Sequence, residues 1–285
     1  MAAATYYPRG TRPFVVAALS VAGLGVRLGH LLTFFGHAVA GVPVALTRYR
    51  KAFLAILSDV TWGNGSIVVG GGTAGVIIVL GATAGAIVGI EGYQALHLLG
   101  MEPAAGLLSS TVSTRELAPI MAALAFAAQA GCRFTAQLGS MRISEEVDAI
   151  ESLAIRPIPY LVTTRLLASV VAIIPLYVLC LVVNYAAVQT IVTFAGGVSA
   201  GSFDHYFRLV LTGSDIAYSV VKAVVFVTIT STIQCYYGYF ATGGPQGVGI
   251  AAGRAMRASI SVMIIANLLL TVGLWGIGSG ARLGG

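Results

Sequence analysis

Between Arg165 and Asp204 the sequence reads LLASVVAIIPLYVLCLVVNYAAVQTIVTFAGGVSAGSF, without one Asp, Glu, Lys or Arg. About 20 apolar residues rising 1.5 Å each cross a hydrocarbon core of about 30 Å, so this stretch predicts a membrane-spanning helix. Three more uncharged gaps are long enough: Asp59 to Glu91, Lys222 to Arg254, and Arg257 to Arg282. A fifth apolar segment, Thr114 to Met141, carries Arg115, Glu116 and Arg133. One side of it must therefore face protein or water. The expectation is an all-α integral membrane protein with five transmembrane helices, near 66–91, 114–140, 160–193, 215–240 and 256–278.

Composition agrees. A length of 285 residues alone would allow about two soluble domains. Yet 57% of the residues are hydrophobic and 9% charged, against about 25% charged in a soluble domain. A chain so poor in charge cannot coat itself for water. That excludes an ordinary soluble enzyme, a nucleic-acid binder relying on the net charge of +6, and a disordered segment. Cys132, Cys180 and Cys235 lie in apolar stretches without metal-ligand or CxxC spacing, and read as small buried hydrophobes.

The loops set a topology. With the N-terminus inside, Arg9, Arg12, Arg27, Arg48, Arg50, Lys51, Arg142, Arg156, Arg254 and Arg257 fall on cytoplasmic segments. Arg208 and Arg282 fall outside. The positive-inside rule then favours N-in, C-out. Arg9 and Arg12 followed by the apolar run Phe14 to Val26 have the order of a signal peptide. No small-residue cleavage site precedes a soluble chain, however, and the pattern continues as an amphipathic helix. Arg27, His30, Thr33 and His37 share one face at 100° per residue, and Leu28, Leu31, Leu32, Phe35 and Val39 the other. This predicts a helix lying in the membrane interface, its histidines solvated. The chain divides into an N-terminal interfacial segment, 1–58, and a five-span domain, 59–285.

Several segments are candidates for function. Gly81, Gly85 and Gly89, preceded by Gly71 and Gly75, form small-xxx-small ridges that let helix backbones approach closely. Thr114-Arg115-Glu116-Leu117-Ala118-Pro119 sets an acid beside a base at the outer end of the second span. Gln129, Arg133 and Gln137 follow on one face near its inner end. Arg115 and Glu116 either sit at headgroup level or face a cavity or partner. Asp215 opens the fourth span and Lys222 lies two turns on, roughly 10 Å along the axis. Lys222 either snorkels to the interface or lines a polar cavity with Glu116 as its partner.

Between the second and third spans, residues 144–156 hold four of the ten acids, Glu145, Glu146, Asp148 and Glu151. Ser144 is the expected N-cap, Val147, Ile150 and Leu153 or Ala154 the apolar stripe, and Pro157 with Pro159 the stop. Such a short acidic amphipathic helix is either solvated or a docking helix for a cytoplasmic partner. No GxxxxGK[ST], HExxH or GxSxG occurs. Any ATP is then bound by another subunit, and hydrolytic catalysis has no candidate residue here.

The run Arg115-Glu-Leu-Ala-Pro-Ile-Met-Ala-Ala-Leu through Gly131, then Glu145 through Pro157, then Arg165-Leu-Leu-Ala, resembles the MlaE/YrbE permease family. Lys222-Ala-Val-Val-Phe, Gly238-Tyr and Gly247-Val-Gly-Ile-Ala-Ala-Gly-Arg254 extend the resemblance over about residues 60 to 280. It implies a non-catalytic transmembrane subunit of an ATP-binding-cassette lipid transporter in the inner (plasma) membrane. The implied cargo is a fatty acid, sterol or phospholipid, with import the implied direction. Its implied partners are a dimeric cytoplasmic ATPase holding ATP and Mg, a second permease copy or paralogue, and MCE-domain proteins outside. Residues 144–156 would be the coupling helix, with Glu145, Glu146, Val147, Asp148, Ile150, Glu151 and Leu153 docking the ATPase. Glu116, with Arg115 and Lys222, matches polar positions near the lipid cavity, and Asp215 and Asn267 are further candidates for the cavity or a polar gate. Asn267 stands where some relatives have an Asp, which leaves charge pairing there open. The Arg- and Gly-rich composition resembles the actinobacterial Mce branch. No metal or nucleic acid is implied. Two other classes predict different behaviour: an ion-coupled secondary transporter, using Glu116, Lys222 and Asp215 without ATPase, and a scaffold tolerating apolar residues at Glu116 and Lys222.

Overall fold

The computed structural model describes residues 12–62 and 72–276. Arg9, Gly71 and Arg282 lie outside these residues, as do the start of the first expected span and the end of the fifth; the side chains of Arg12 and Arg27 are likewise outside the description. The described residues contain helices and no strand. They are α1 (Arg12–Ala40), α2 (Val42–Arg48), α3 (Arg50–Trp62) and α4 (Gly72–His97). A long rod α5 (Glu102–Ile143), a short α6 (Glu146–Ser152) and a second rod α7 (Ile158–Ala195) follow. After these come α8 (Ala200–Val210), α9 (Gly213–Tyr239) and α10 (Gly244–Trp275).

Each expected span is present as a helix, and the boundaries move. The second begins at Glu102 rather than 114, and the fifth at Gly244 rather than 256. Arg254 and Arg257 thus ride inside α10, about three and four turns from its start, instead of on a loop. A sixth segment, Leu28–Arg48, is also long and apolar enough to cross a membrane. It is the helix the sequence placed in the interface. Gly41 and Pro43 divide it into α1 and α2, and a Cβ on Gly41 would lie 2.7 Å from Thr163 Oγ1.

The face of α1 that meets protein differs from the expected apolar face. Phe34 and Ala38 are buried, whereas Leu28 and Leu32 expose more than half their surface. Phe34 packs edge-on against Tyr236 and Phe240 at the end of α9. His30 is not simply solvated, because its Nδ1 lies 2.8 Å from Tyr236 Oη. An aromatic cluster on α9, invisible to the periodicity of α1, selects this face.

α4 packs along α7 through glycines. A Cβ on Gly81 would sit 3.0 Å from Cys180 O, and one on Gly85 2.4 Å from Asn184 O. One on Gly89 would meet Ile191 at 3.1 Å. Asn184, wholly buried, donates from Nδ2 to the carbonyl of Gly81 at 3.1 Å. This polar contact clamps the two backbones where no side chain intervenes. α8 was not expected. Ser199 caps it, accepting from Ser202 N, and Phe203 tucks into a small apolar cluster with Ala105, Val188 and Val192.

Candidate functional site

α5 is not a uniform α-helix. Residues Ser109–Leu117 and Ala127–Gly131 widen into π-helical turns, a feature frequent at functional sites. The first has a local cause. Pro119 lacks the N–H that would reach the carbonyl of Arg115 four residues earlier. That carbonyl accepts instead from Lys222 Nζ of α9, at 2.5 Å.

Lys222 is the centre of the site. Its side chain is 0% exposed, and it also donates to Glu116 Oε1 at 3.2 Å and to Thr271 Oγ1 at 2.9 Å. Glu116 accepts two further bonds, from Thr271 Oγ1 at 2.7 Å and from Asn267 Nδ2 to Oε2 at 2.7 Å. Asn267 thus supplies a donor where an Asp would oppose the Glu116 carboxylate with a second negative charge. One ammonium faces one carboxylate, and the pair balances.

A second pair lies beside the first. Arg115 Nη2 is 3.1 Å from Asp215 Oδ1, an oxygen that also accepts from Trp275 Nε1 at 2.6 Å. Asp215 Oδ2 accepts from Thr212 Oγ1 at 2.7 Å, so Asp215 is fixed at the first turn of α9. Trp275 joins the pairs: Arg115 and Lys222 lie 5.5 and 5.4 Å from its ring centroid. Opposite charge within reach of each cation makes these buried ions tolerable. Beside them Thr114 Oγ1 is hydrogen-bonded to Tyr185 Oη. The sequence nominated Arg115, Glu116, Asp215, Lys222 and Asn267, and the structure brings all five together. It pairs Lys222 with Glu116 across the bundle and leaves Asp215 to Arg115. Thr271 and Trp275 escaped the sequence reading, since each is an ordinary residue for a span end.

The stripe Gln129, Arg133, Gln137 is divided between partners. Arg133 Nη2 donates to Asp59 Oδ2 at 2.6 Å, and Gln137 Oε1 accepts from Arg165 Nη2 at 3.3 Å. Gln129 is half-buried and takes part in neither contact. A fully buried Gln234 on α9 was missed. Thr135 donates to its carbonyl at 2.9 Å, and its Nε2 reaches Ala127 O at 3.2 Å, beside the second π turn.

The acidic segment 144–156 forms a helix only over Glu146–Ser152. Ser144 does not cap it; its hydroxyl, with one proton to give, lies 3.0 Å from Ser140 O and 2.9 Å from Glu146 Oε1. Glu145 holds the N-cap position in the left-handed region, φ 61°. Val147 is buried and Ile150 packs on the core, while Leu153 is 72% exposed. Pro157 and Pro159 do not stop α6 but open α7. The stop is a Schellman arrangement: Ile155 N donates to Ile150 O at 3.3 Å and Ala154 N to Glu151 O at 2.9 Å. Ala154 takes the left-handed position, φ 57°. Glu145 and Ala154 are the two non-glycine residues with positive φ among the described residues, and they bracket α6. All four acids are exposed; Asp148 is tied to Arg142 at 2.5 Å, and Glu145, Glu146 and Glu151 make no ion pair with a described residue.

The sequence matches the family described as Permease MlaE over residues 64–273. The chain belongs to the MlaE permease family. It is 31% identical over 195 residues to a probable ABC transporter permease protein of Rickettsia prowazekii, covering 65% of this chain and 72% of that one. It is 26% identical over 244 residues to the intermembrane phospholipid transport system permease protein MlaE of Haemophilus influenzae, covering 85% and 91%. It is 32% identical over 173 residues to the chloroplastic protein trigalactosyldiacylglycerol 1 of Arabidopsis thaliana, where it covers 61% of this chain but 49% of the plant protein. Six helices among the described residues are long and apolar enough to cross a membrane, and with these relatives the chain is a multi-pass inner-membrane protein. Both the polar network and α6 lie within the matched region.

Proposed function

We propose that this permease is the membrane subunit of an ATP-driven lipid transporter, with α6 as the helix that docks a cytoplasmic ATPase. The observation that carries the proposal is the construction of α6: anchored by Val147, bracketed by two left-handed residues, and presenting Glu146, Glu151 and Leu153 to solvent. Backbone strain persists where the surroundings enforce it, and it clusters at functional segments. In this reading the N-terminus is inside, ATP and Mg reside on the ATPase dimer, and this chain performs no catalysis. A second permease, identical or paralogous, meets the apolar outer face of α10, where Ile264, Ile265, Leu268 and Leu269 are each more than half exposed. MCE-domain proteins receive or deliver the lipid outside.

The relative named for intermembrane phospholipid transport supports a phospholipid as the first cargo to try, ahead of fatty acids and sterols; import is the direction proposed. The composition supports the actinobacterial branch. Apolar walls hold acyl chains at about 25 cal/mol per Å² buried, so release needs work. Closure of the ATPase dimer moves the two α6 helices as rigid bodies and shifts the packing of α5 and α7, between which each lies. The Lys222–Glu116 and Arg115–Asp215 pairs keep the outer ends of α5, α9 and α10 registered during that movement.

The test is reconstitution of the complete complex in proteoliposomes. Glu146→Lys and Ala149→Pro are expected to abolish lipid-stimulated ATPase activity while the membrane core stays folded. Normal stimulation in both variants would show that α6 is not the docking helix.

A further inference from the structure

We propose a binding site for the anionic headgroup of a bilayer lipid in the recess between α3, α5 and α7, distinct from the Glu116 network. The recess has a volume of about 510 Å³ and is lined by Asp59, Gln137, Ser140 and Arg165, with Ala55 and Ile56 on its apolar side. Its charges do not balance. Asp59 is engaged by Arg133, which reaches both its carboxylate and its backbone carbonyl, at 2.6 and 3.0 Å. Arg165 is only 8% exposed and makes no ion pair with a described carboxylate.

The bonds of Arg165 are neutral: Nη1 to Leu161 O at 2.7 Å and Nη2 to Gln137 Oε1 at 3.3 Å. Those occupy two of the five N–H donors of a guanidinium, and the Nε of Arg165 has no partner, nor has that of Arg133. Asp59 acts on Arg165 only from beyond ion-pair distance and is already bonded to Arg133, so two cations share one carboxylate, and a buried charge short of a counter-ion is costly. A planar guanidinium with unused donors matches phosphate oxygens best. Depth argues for a lipid as the source. Gln137 lies six residues from the end of α5 and Arg165 seven from the start of α7, about 10 Å in along each axis and on the side that carries α6. A leaflet holds its phosphates near that level, and the apolar wall of Ala55 and Ile56 leaves room for the start of an acyl chain.

The test uses the full chain in phosphatidylcholine nanodiscs doped with phosphatidylglycerol, with native mass spectrometry counting the phosphatidylglycerol retained. Wild type is expected to keep one per chain, and Arg165→Gln to retain about tenfold less. Ala55→Trp, which fills the recess from an exposed position and leaves every bond of Arg165 intact, is expected to do the same. Asp59→Asn frees Arg133 and is expected to raise retention, a gain that damage to the fold does not produce. Equal retention in wild type, Arg165→Gln and Ala55→Trp overturns the proposal. So does release of the lipid by millimolar inorganic phosphate, which makes a free anion the ligand. Unchanged retention with loss of a co-purifying ATPase in the variants overturns it too, placing an acidic protein side chain on Arg165.

Discussion

Replacing Lys222 by Met isolates what the central ammonium does. Met keeps the length and apolar stem of Lys, so cavity formation contributes little. Three bonds disappear, to Arg115 O, Glu116 Oε1 and Thr271 Oγ1. The Arg115 carbonyl, denied its helical donor by Pro119, is left without Lys222, at about 1–3 kcal/mol. Glu116 loses its cation but keeps the donors Thr271 and Asn267, and its side chain is 33% exposed, so solvent screening holds that term near 1–2 kcal/mol. The expected loss is about 3 kcal/mol. Glu116→Gln alone should cost about 1 kcal/mol, because its amide oxygen still accepts from Lys222 and the unpartnered Oδ1 of Asn267 can turn to meet its amide nitrogen. In the double variant the unpaired carboxylate is gone, and the cycle should return a coupling of about 1–2 kcal/mol. Reversible unfolding in mixed micelles measures all four species. A coupling below about 0.5 kcal/mol would refute the view that Lys222 and Glu116 form one electrostatic unit.

Other outcomes follow from single contacts. Asn267→Asp swaps a donor for a second carboxylate beside Glu116 and should destabilise by about 2 kcal/mol, with Glu116→Gln restoring most of the loss in the same unfolding assay. Gly85→Ala places a Cβ against the Asn184 backbone at 2.4 Å, where nothing flexible can yield; about 2–3 kcal/mol should be lost, whereas Gly92→Ala, facing the tip of Leu108 at 3.1 Å, should lose less. Ala154→Gly relieves a left-handed alanine and should stabilise α6 by about 0.5–1 kcal/mol. Slower amide exchange at the α6 backbone would register it, and faster exchange would contradict the Schellman assignment.

α6 shows how function draws on both sources. Its acids and its apolar positions Val147 and Ile150 stand out in the chain, and so does the resemblance that gives them meaning. Its boundaries do not, because the left-handed Glu145 and Ala154 carry no glycine signal. A reader of sequence takes the nearest cap-former, Ser144, and the nearest prolines, Pro157 and Pro159, as the ends. Ser144 instead closes the last turn of α5, and the prolines begin α7.

What the sequence by itself determined is the membrane fold class, the existence of five spans without their exact ends, and most of the charged residues inside them. These follow from one-dimensional quantities: the length of an uncharged run against the thickness of a bilayer, and the cost of a charge within it. Glu116 was the partner the sequence offered to Lys222, but the rest of the shell was a three-dimensional matter: packing adds the freed carbonyl of Arg115 and Thr271 of α10 to Lys222, and gives Asp215 to Arg115 and Trp275. His30 looked solvated until α9 set Tyr236 against it. Arg165 looked like the last charge before an uncharged run, and only the packing of α3, α5 and α7 shows it buried without an ion pair among the described residues. Periodicity fixes which residues share a face; tertiary packing decides what that face meets, because pairing energies depend on distances between segments far apart in the chain.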